Sequence, residues 1–364
     1  MTFMQTWQRL KTLVQTELRQ LTTINPSNRR WQMAFAAALA TGLPLMVGAY
    51  FGHMDYGLVS SLGGLVFLHT PNTPLSHRMV WLMACGFGMT ACYALGVIGH
   101  FFPALLMWVI TFIAILVTMV CRFYRVGPPG SLFFVMAAAI GAFAPGEVEA
   151  IPLKVGLVTM GALLACLIAF FYSLYVLRLD PPEPVAPLPP PTFDFVIFDS
   201  VVIGIFVGLS LALAQVMQLE RPYWVPVSCL AVIQGATLRA VWNRQLQRVL
   251  GTGIGLLLAW ALLMLPLDPW GIALMMIALA FVIETAVVRH YGVAVIFITP
   301  LTIFLAEAAT LGQGSPAPLI EARFLDTLLG CLVGLAGALC LHSPRFRTVV
   351  GAQLRRLTPS RLMR

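Results

Sequence analysis

Charge is scarce in this 364-residue chain: Asp, Glu, Lys and Arg make up 10% of it, against about 25% in an average soluble protein. So few charges cannot cover a soluble globule of this size, which excludes a cytosolic enzyme, a nucleic-acid binder and a disordered chain. Lysine occurs only as Lys11 and Lys154, and no Gly-Lys-Ser/Thr is present, so there is no P-loop. The seven cysteines lie in or beside apolar runs with no Cys-x-x-Cys spacing, which argues against a disulfide framework or a zinc site. The six histidines form no i,i+4 pair and no His-Glu-x-x-His. No metal, no cofactor and no catalytic constellation is therefore expected. The first 30 residues lack a compact apolar run ending in a small-residue cleavage site, so no removable leader is expected.

What the chain has in excess is apolar residues, 59% of the total, with a mean hydropathy of +0.89. The expected class is an all-α polytopic membrane protein in a lipid bilayer. Apolar runs lie near 31–51, 57–69, 79–98, 103–121, 131–144 and 153–177, then near 195–217, 223–236, 246–265, 269–288, 291–306 and 322–341. Between the two sets, Leu179–Asp194 holds seven prolines and reads as an extended spacer. The expected organisation is a cytoplasmic amphipathic tail (1–30), a first six-helix repeat (31–178), a proline linker (179–194), a second repeat (195–342) and a basic cytoplasmic tail (343–364). In the first tail, Trp7, Leu10, Val14, Leu18 and Leu21 recur at helical spacing among Arg9, Lys11 and Arg19. They fit a helix on the inner leaflet, or a short cytosolic helix packed on the bundle.

The halves resemble each other. A shift of 167 places Tyr56 on Tyr223, Ser61 on Ser228, His77 on Arg244, Gly86 on Gly253 and Tyr124 on Tyr291, and a shift of 169 places Lys154 on Arg323. An even number of helices per repeat gives both halves one orientation, with a pseudo-twofold along the membrane normal. With both termini cytoplasmic, 19 of the 22 basic residues fall on the inner side, as the positive-inside rule requires. Lys154, Arg221 and Arg323 alone lie outside. Most of the +8 net charge then sets topology, and a nucleic-acid partner is not implied. An internal repeat permits a monomer; a homodimer is the other arrangement.

Residues 57–69 and 223–236 give about 20 Å of helix, too short for a hydrocarbon core of about 30 Å. Short segments at matching repeat positions point to a transporter's binding site, unless the boundaries are misplaced or the bilayer thins. Gly251 with Gly255, and Gly330 with Gly334, are helix-packing pairs.

The stretch Arg221-Pro222-Tyr223-Trp224-Val225-Pro226, then Arg239, then Arg248-Val249-Leu250-Gly251-Thr252-Gly253-Ile254-Gly255, resembles the fusaric acid resistance / aromatic acid exporter family. So does Arg323-Phe324-Leu325-Asp326-Thr327-Leu328-Leu329-Gly330. The likeness covers 195–342 well and the first half weakly. It implies an inner-membrane exporter of small organic, often aromatic, acids driven by the proton gradient. In some relatives a periplasmic adaptor protein joins the exporter. A more distant similarity to plant malate channels implies a passive anion channel as the alternative. The first half has Gly57 where the second has Trp224, and Leu157 where it has Asp326. Any site is therefore expected to be asymmetric, with its ionisable parts in the second half.

An organic anion needs fixed positive charge inside hydrocarbon. Candidate substrate-binding residues are Arg239, Arg244 and Arg248 at the inner mouth, and Lys154, Arg221 and Arg323 at the outer mouth. Arginine suits carboxylates through its bidentate fork, although the inner three could serve topology alone. Tyr223 and Trp224 could stack on an aromatic substrate or sit in the interfacial aromatic belt. Asp326, three residues after Arg323, could pair with it or exchange a proton that couples transport. Glu284, five residues before Arg289, is the second proton-coupling candidate. Asp199 reads as a charge favourable to a helix N-terminus.

Overall fold

The computed structural model describes Lys11 and residues 22–144, 146–188, 190–307 and 317–357. The expected N-terminal amphipathic helix falls almost wholly outside the described residues. Among those described, the chain is all-helical with no strand. The first half contains α1 (Trp31–Phe51), α2 (Met54–Gly64, continued by a 3-10 turn, Leu65–His69), α3 (Leu75–His100), α4 (Pro103–Phe123), α5 (Leu132–Ala142) and α6 (Ile151–Val176). The second contains α7 (Asp199–Val216), α8 (Trp224–Ile233), α9 (Leu238–Leu263), α10 (Pro269–Ala286), α11 (Tyr291–Glu307) and α12 (Ala317–His342). A further helix, α13 (Pro344–Leu357), follows.

Eight of these helices are long and apolar enough to cross a membrane. The four shorter ones, α2, α5, α8 and α11, hold the second and fifth places of each half. At 1.5 Å per residue, α8 with its ten residues is only about 15 Å long. Its free backbone ends must be sheathed by protein, since lipid cannot satisfy them. Every residue of α8 is accordingly buried. Its apolar character all round suits a helix enclosed by others.

The packing scheme of the first half recurs in the second. In the first, α1 packs on α2, α2 on α6, α3 on α5, and α6 on α1 and α3. In the second, α7 packs on α8, α8 on α12, α9 on α11, and α12 on α7 and α9. The halves meet reciprocally: α4 against α7, and α10 against α1. Gly204 and Gly208 lie where α7 crosses α4, so close that side chains there would overlap Ile115 and Thr111.

Loops assigned to one end of the bundle meet one another. At the basic end, Asn25 N donates to Arg289 O (2.8 Å), Asn72 Nδ2 to Glu183 of the proline linker (3.0 Å), and His69 Nε2 lies 3.2 Å from Gly130 O. At the opposite end, His100 Nδ1 lies 2.9 Å from Ala142 O, and the Phe143 and Tyr223 rings are 5.9 Å apart.

Two sequence expectations need correction here. First, α9 starts at Leu238, eight residues before the apolar run near 246, because Thr237 caps it by accepting from Ala240 N (3.1 Å). Arg239, Arg244 and Arg248 are therefore helical residues. Second, the basic C-terminal tail is an amphipathic helix. On α13, Phe346, Val350 and Leu354 pack on the core while Arg345 and Arg356 are exposed.

Candidate functional site

The short helix α8 organises a cluster of buried charge. Trp224 and Ser228 are four residues apart and share one face of α8, about 6 Å from each other. The Arg323 guanidinium, from α12, stacks over the Trp224 ring at 3.9 Å. The Arg248 guanidinium, from α9, donates from Nη2 to Ser228 Oγ (3.2 Å) and from Nη1 to Tyr291 Oη (3.0 Å). The two cations thus stand about one helical turn apart along the same face of α8. Arg248 is 5% and Arg323 4% exposed.

Their hydrogen bonding is incomplete. Arg323 donates from Nη2 to Thr302 Oγ1 (3.2 Å), while its Nε and Nη1 have no partner. Arg248 Nε has none either. Asp326, one turn along α12 from Arg323, is fully buried, and neither carboxylate oxygen accepts a hydrogen bond. Gln245 Oε1, one turn from Arg248 on α9, is a further unmet acceptor. Buried polar groups are nearly always satisfied, and unmet charged groups cost most. Two arginines against one aspartate also leave one positive charge unbalanced.

Arg78 shows what a structural buried arginine looks like in the same fold. It is 2% exposed on α3. It donates from Nε to Thr73 O (2.6 Å), from Nη2 to Asn72 Oδ1 (2.8 Å) and from Nη1 to Ser173 Oγ (3.4 Å). The unmet side-chain atoms of the first half, His69 Nδ1, Thr90 Oγ1 and Tyr93 Oη, belong to no acidic or guanidinium group.

The structure redistributes the sequence candidates. Arg248 is not at a mouth: it lies ten residues into α9, about 15 Å along the helix. Arg323 is not at the outer mouth either, being buried against Trp224. Tyr223 and Trp224 are buried, which removes them from an interfacial belt. The cause is the shortness of α8, which places its first residues inside the protein. Arg244 stacks on Tyr291, its guanidinium 4.8 Å from the ring centroid. Arg239 is exposed, and Arg221 is half-buried and acts electrostatically on Asp326. Lys154 lies apart, its Nζ 3.5 Å from Ala144 O. Asp326 makes no ion pair with Arg323, and Glu284, the second proton-coupling candidate, pairs with Arg29 (2.8 Å). Gly251 and Gly255 face Gly292 O and Ile296 O of α11, and Gly330 and Gly334 face Val225 O and Cys229 O of α8. These glycines set the spacing that brings α9, α11 and α12 around α8.

A cavity of about 500 Å³ opens at the basic end where the halves meet. Arg122, Arg125 and Arg347 line it, and Asp199 accepts from Arg122 (2.8 Å) and Arg347 (2.9 Å). Gln234, the residue after α8, donates to Ser131 Oγ (2.7 Å) in its wall. From there α5 and α8 run side by side, antiparallel, to the Phe143–Tyr223 contact at the other end. This arginine-lined mouth was missed from the sequence, because its residues come from α4, α7 and α13. Ser228 and Tyr291 were marked only as repeat-matched positions.

The buried cluster and the sequence relationships coincide. Residues 202–337 match the fusaric acid resistance protein-like family. The match begins within α7 and ends within α12, so it contains the whole cluster around α8 and none of the first half. A 128-residue stretch is 37% identical to the uncharacterized membrane protein YvaC of Bacillus subtilis (strain 168). That stretch is 35% of this chain and only 20% of the relative. No solved structure matches. Fold and relatives together make this a multi-pass membrane protein whose second half carries the fusaric acid resistance-like sequence. Among the described residues, no three His, Cys, Asp or Glu side chains are grouped to hold a metal ion.

Proposed function

We propose that the protein transports small organic anions, aromatic carboxylates above all, across a bacterial inner membrane. The observation that carries this reading is the pair of buried arginines on one face of α8, with three guanidinium nitrogens unmet. A carboxylate is the complement of such a fork. It would also balance the single positive charge left by Arg248, Arg323 and Asp326. Trp224, already stacked with a guanidinium, offers a ring edge beside it.

In this reading the basic end is cytoplasmic, following the distribution of arginine. The 500 Å³ cavity with Arg122, Arg125 and Arg347 is the inner mouth, and the α5–α8 pair lies along the route to the cluster. Asp326 is the proton-coupling group. When it is protonated, the cluster carries two uncompensated positive charges and holds an anion more tightly. When it is ionised, the anion is released. Alternating access then works through the reciprocal α4–α7 and α10–α1 contacts.

The test is uptake of radiolabelled benzoate by proteoliposomes. An imposed pH gradient is expected to drive accumulation above the electrochemical equilibrium of the anion. Flux that only relaxes to that equilibrium would make the protein a passive anion channel, and absence of flux for a panel of aromatic carboxylates would refute the reading.

A further inference from the structure

A second pocket lies at the basic end, on the other seam between the halves, where α1 meets α10. Its volume is about 330 Å³, within the range of ligand pockets. Arg29, Arg30 and Arg289 line it with the carboxylate of Glu284, and Arg30 also donates from Nε to Asp180 Oδ2 of the proline linker (2.8 Å), a pair open to solvent. Arg29 donates to Glu284 Oε2 (2.8 Å) and to Glu284 O (3.3 Å), so that carboxylate is engaged within the wall. The remaining lining includes the hydroxyl-bearing Ser27 and Thr285.

The rim of the pocket faces lipid. Trp31 forms part of it and is 63% exposed. Phe35, one turn further into the membrane, is also exposed and packs on Trp31 with ring centroids 6.2 Å apart. Tryptophan at the start of a spanning helix marks headgroup depth. A cationic pocket therefore sits at headgroup level, with an apolar aromatic stripe running from it toward the hydrocarbon. The cavity at the α4–α7 seam is instead walled by residues of α13 and of the ends of α5 and α8.

We propose that the pocket between α1 and α10 binds the phosphodiester headgroup of an anionic phospholipid, whose acyl chains lie along Trp31 and Phe35. Arg289 contacts the phosphate together with Arg30, which exchanges its solvent-exposed pair with Asp180 for the headgroup, and Arg29, held by Glu284, forms the floor. The lipid bridges the two halves at the α1–α10 contact. This site is separate from the cluster on α8 and does not depend on the transport reading.

The test uses the full chain in neutral detergent, titrated with dioleoylphosphatidylglycerol and with dioleoylphosphatidylcholine and read by native mass spectrometry. One phosphatidylglycerol per chain is expected to be retained, with an affinity about tenfold above that of phosphatidylcholine. The substitutions Arg30→Gln and Arg289→Gln together are expected to erase the preference. Arg345→Gln with Arg356→Gln, on α13 at the same end, should leave it intact. Equal binding of the two lipids by the unaltered protein would overturn the proposal, whether or not the variants fold. Loss of the preference in the α13 variant alone would also overturn it, by moving the contact to α13. Displacement of the lipid by inorganic phosphate at equal concentration would overturn the lipid assignment in favour of a free phosphate site.

Discussion

The two halves of this chain share one packing scheme and enclose different chemistry. In the first half His77, Trp81 and Tyr124 form a ladder of rings, with centroids 5.6 Å apart for His77–Trp81 and 6.4 Å for Trp81–Tyr124. At the matching places of the second half stand Arg244, Arg248 and Tyr291, joined by a cation–π contact and a hydrogen bond. Gly57 stands for Trp224, and Leu157 for Asp326. The scaffold positions persist, with Ser61 matching Ser228 and Gly161 matching Gly330. One half thus keeps a filled interior whose buried arginine, Arg78, is fully hydrogen-bonded, while the other keeps the same backbone and fills it with two arginines and an aspartate whose hydrogen bonding is incomplete. Among the described residues, only the second places guanidinium and carboxylate groups where their hydrogen bonds stay unmet.

That comparison can be broken in several ways, and the largest effect concerns transport. Arg323→Gln or Arg248→Gln should lower benzoate uptake by about 10–100-fold, the worth of a lost charge-assisted hydrogen bond at the anion. Unchanged uptake in both would make the second half as inert as the first.

The next effect is on stability, and it has opposite directions in the two halves. Arg78→Ala strands Asn72, Ser173 and the Thr73 carbonyl, so it should destabilise the detergent-solubilised protein by about 2–4 kcal/mol. Arg323→Met removes a group with two of its three nitrogens already unmet and one hydrogen bond to Thr302, and the melting temperature should hold or rise. A large loss of stability in Arg323→Met would assign Arg323 a structural role like that of Arg78.

Asp326→Asn is a narrower change. Flux down a benzoate gradient should persist, while accumulation driven by a pH gradient should disappear. Retained pH-driven accumulation would remove Asp326 from the coupling step. The smallest effect is expected at Lys154, the first-half counterpart of Arg323. Because it lies apart from the cluster, Lys154→Gln should change uptake less than about threefold.

Much of the architecture was legible in the sequence because the bilayer imposes it. The apolar runs had to be long enough to cross about 30 Å, and the shorter ones at matching places had to be enclosed. The arginine count on each side then ordered them. The site was legible in its residues and misplaced in its depth. Counting along α12 puts Arg323 near a surface, but α8 is so short that Trp224, its stacking partner, is already interior. Contacts between distant segments left no local trace. Arg29 and Glu284 are 255 residues apart, and Arg122 and Asp199 are 77 apart. Asp199 reads as a helix-start charge until α4 and α13 each bring it an arginine.

The central claim is that one half holds the anion and the other does not. Isothermal titration of the purified full chain with a panel of aromatic carboxylates tests it most directly, comparing the unaltered protein with Arg323→Gln. The expected result is one anion bound per chain, with binding abolished or weakened at least about tenfold by the substitution. Two equivalent anions per chain, or unaltered binding in Arg323→Gln, would contradict it.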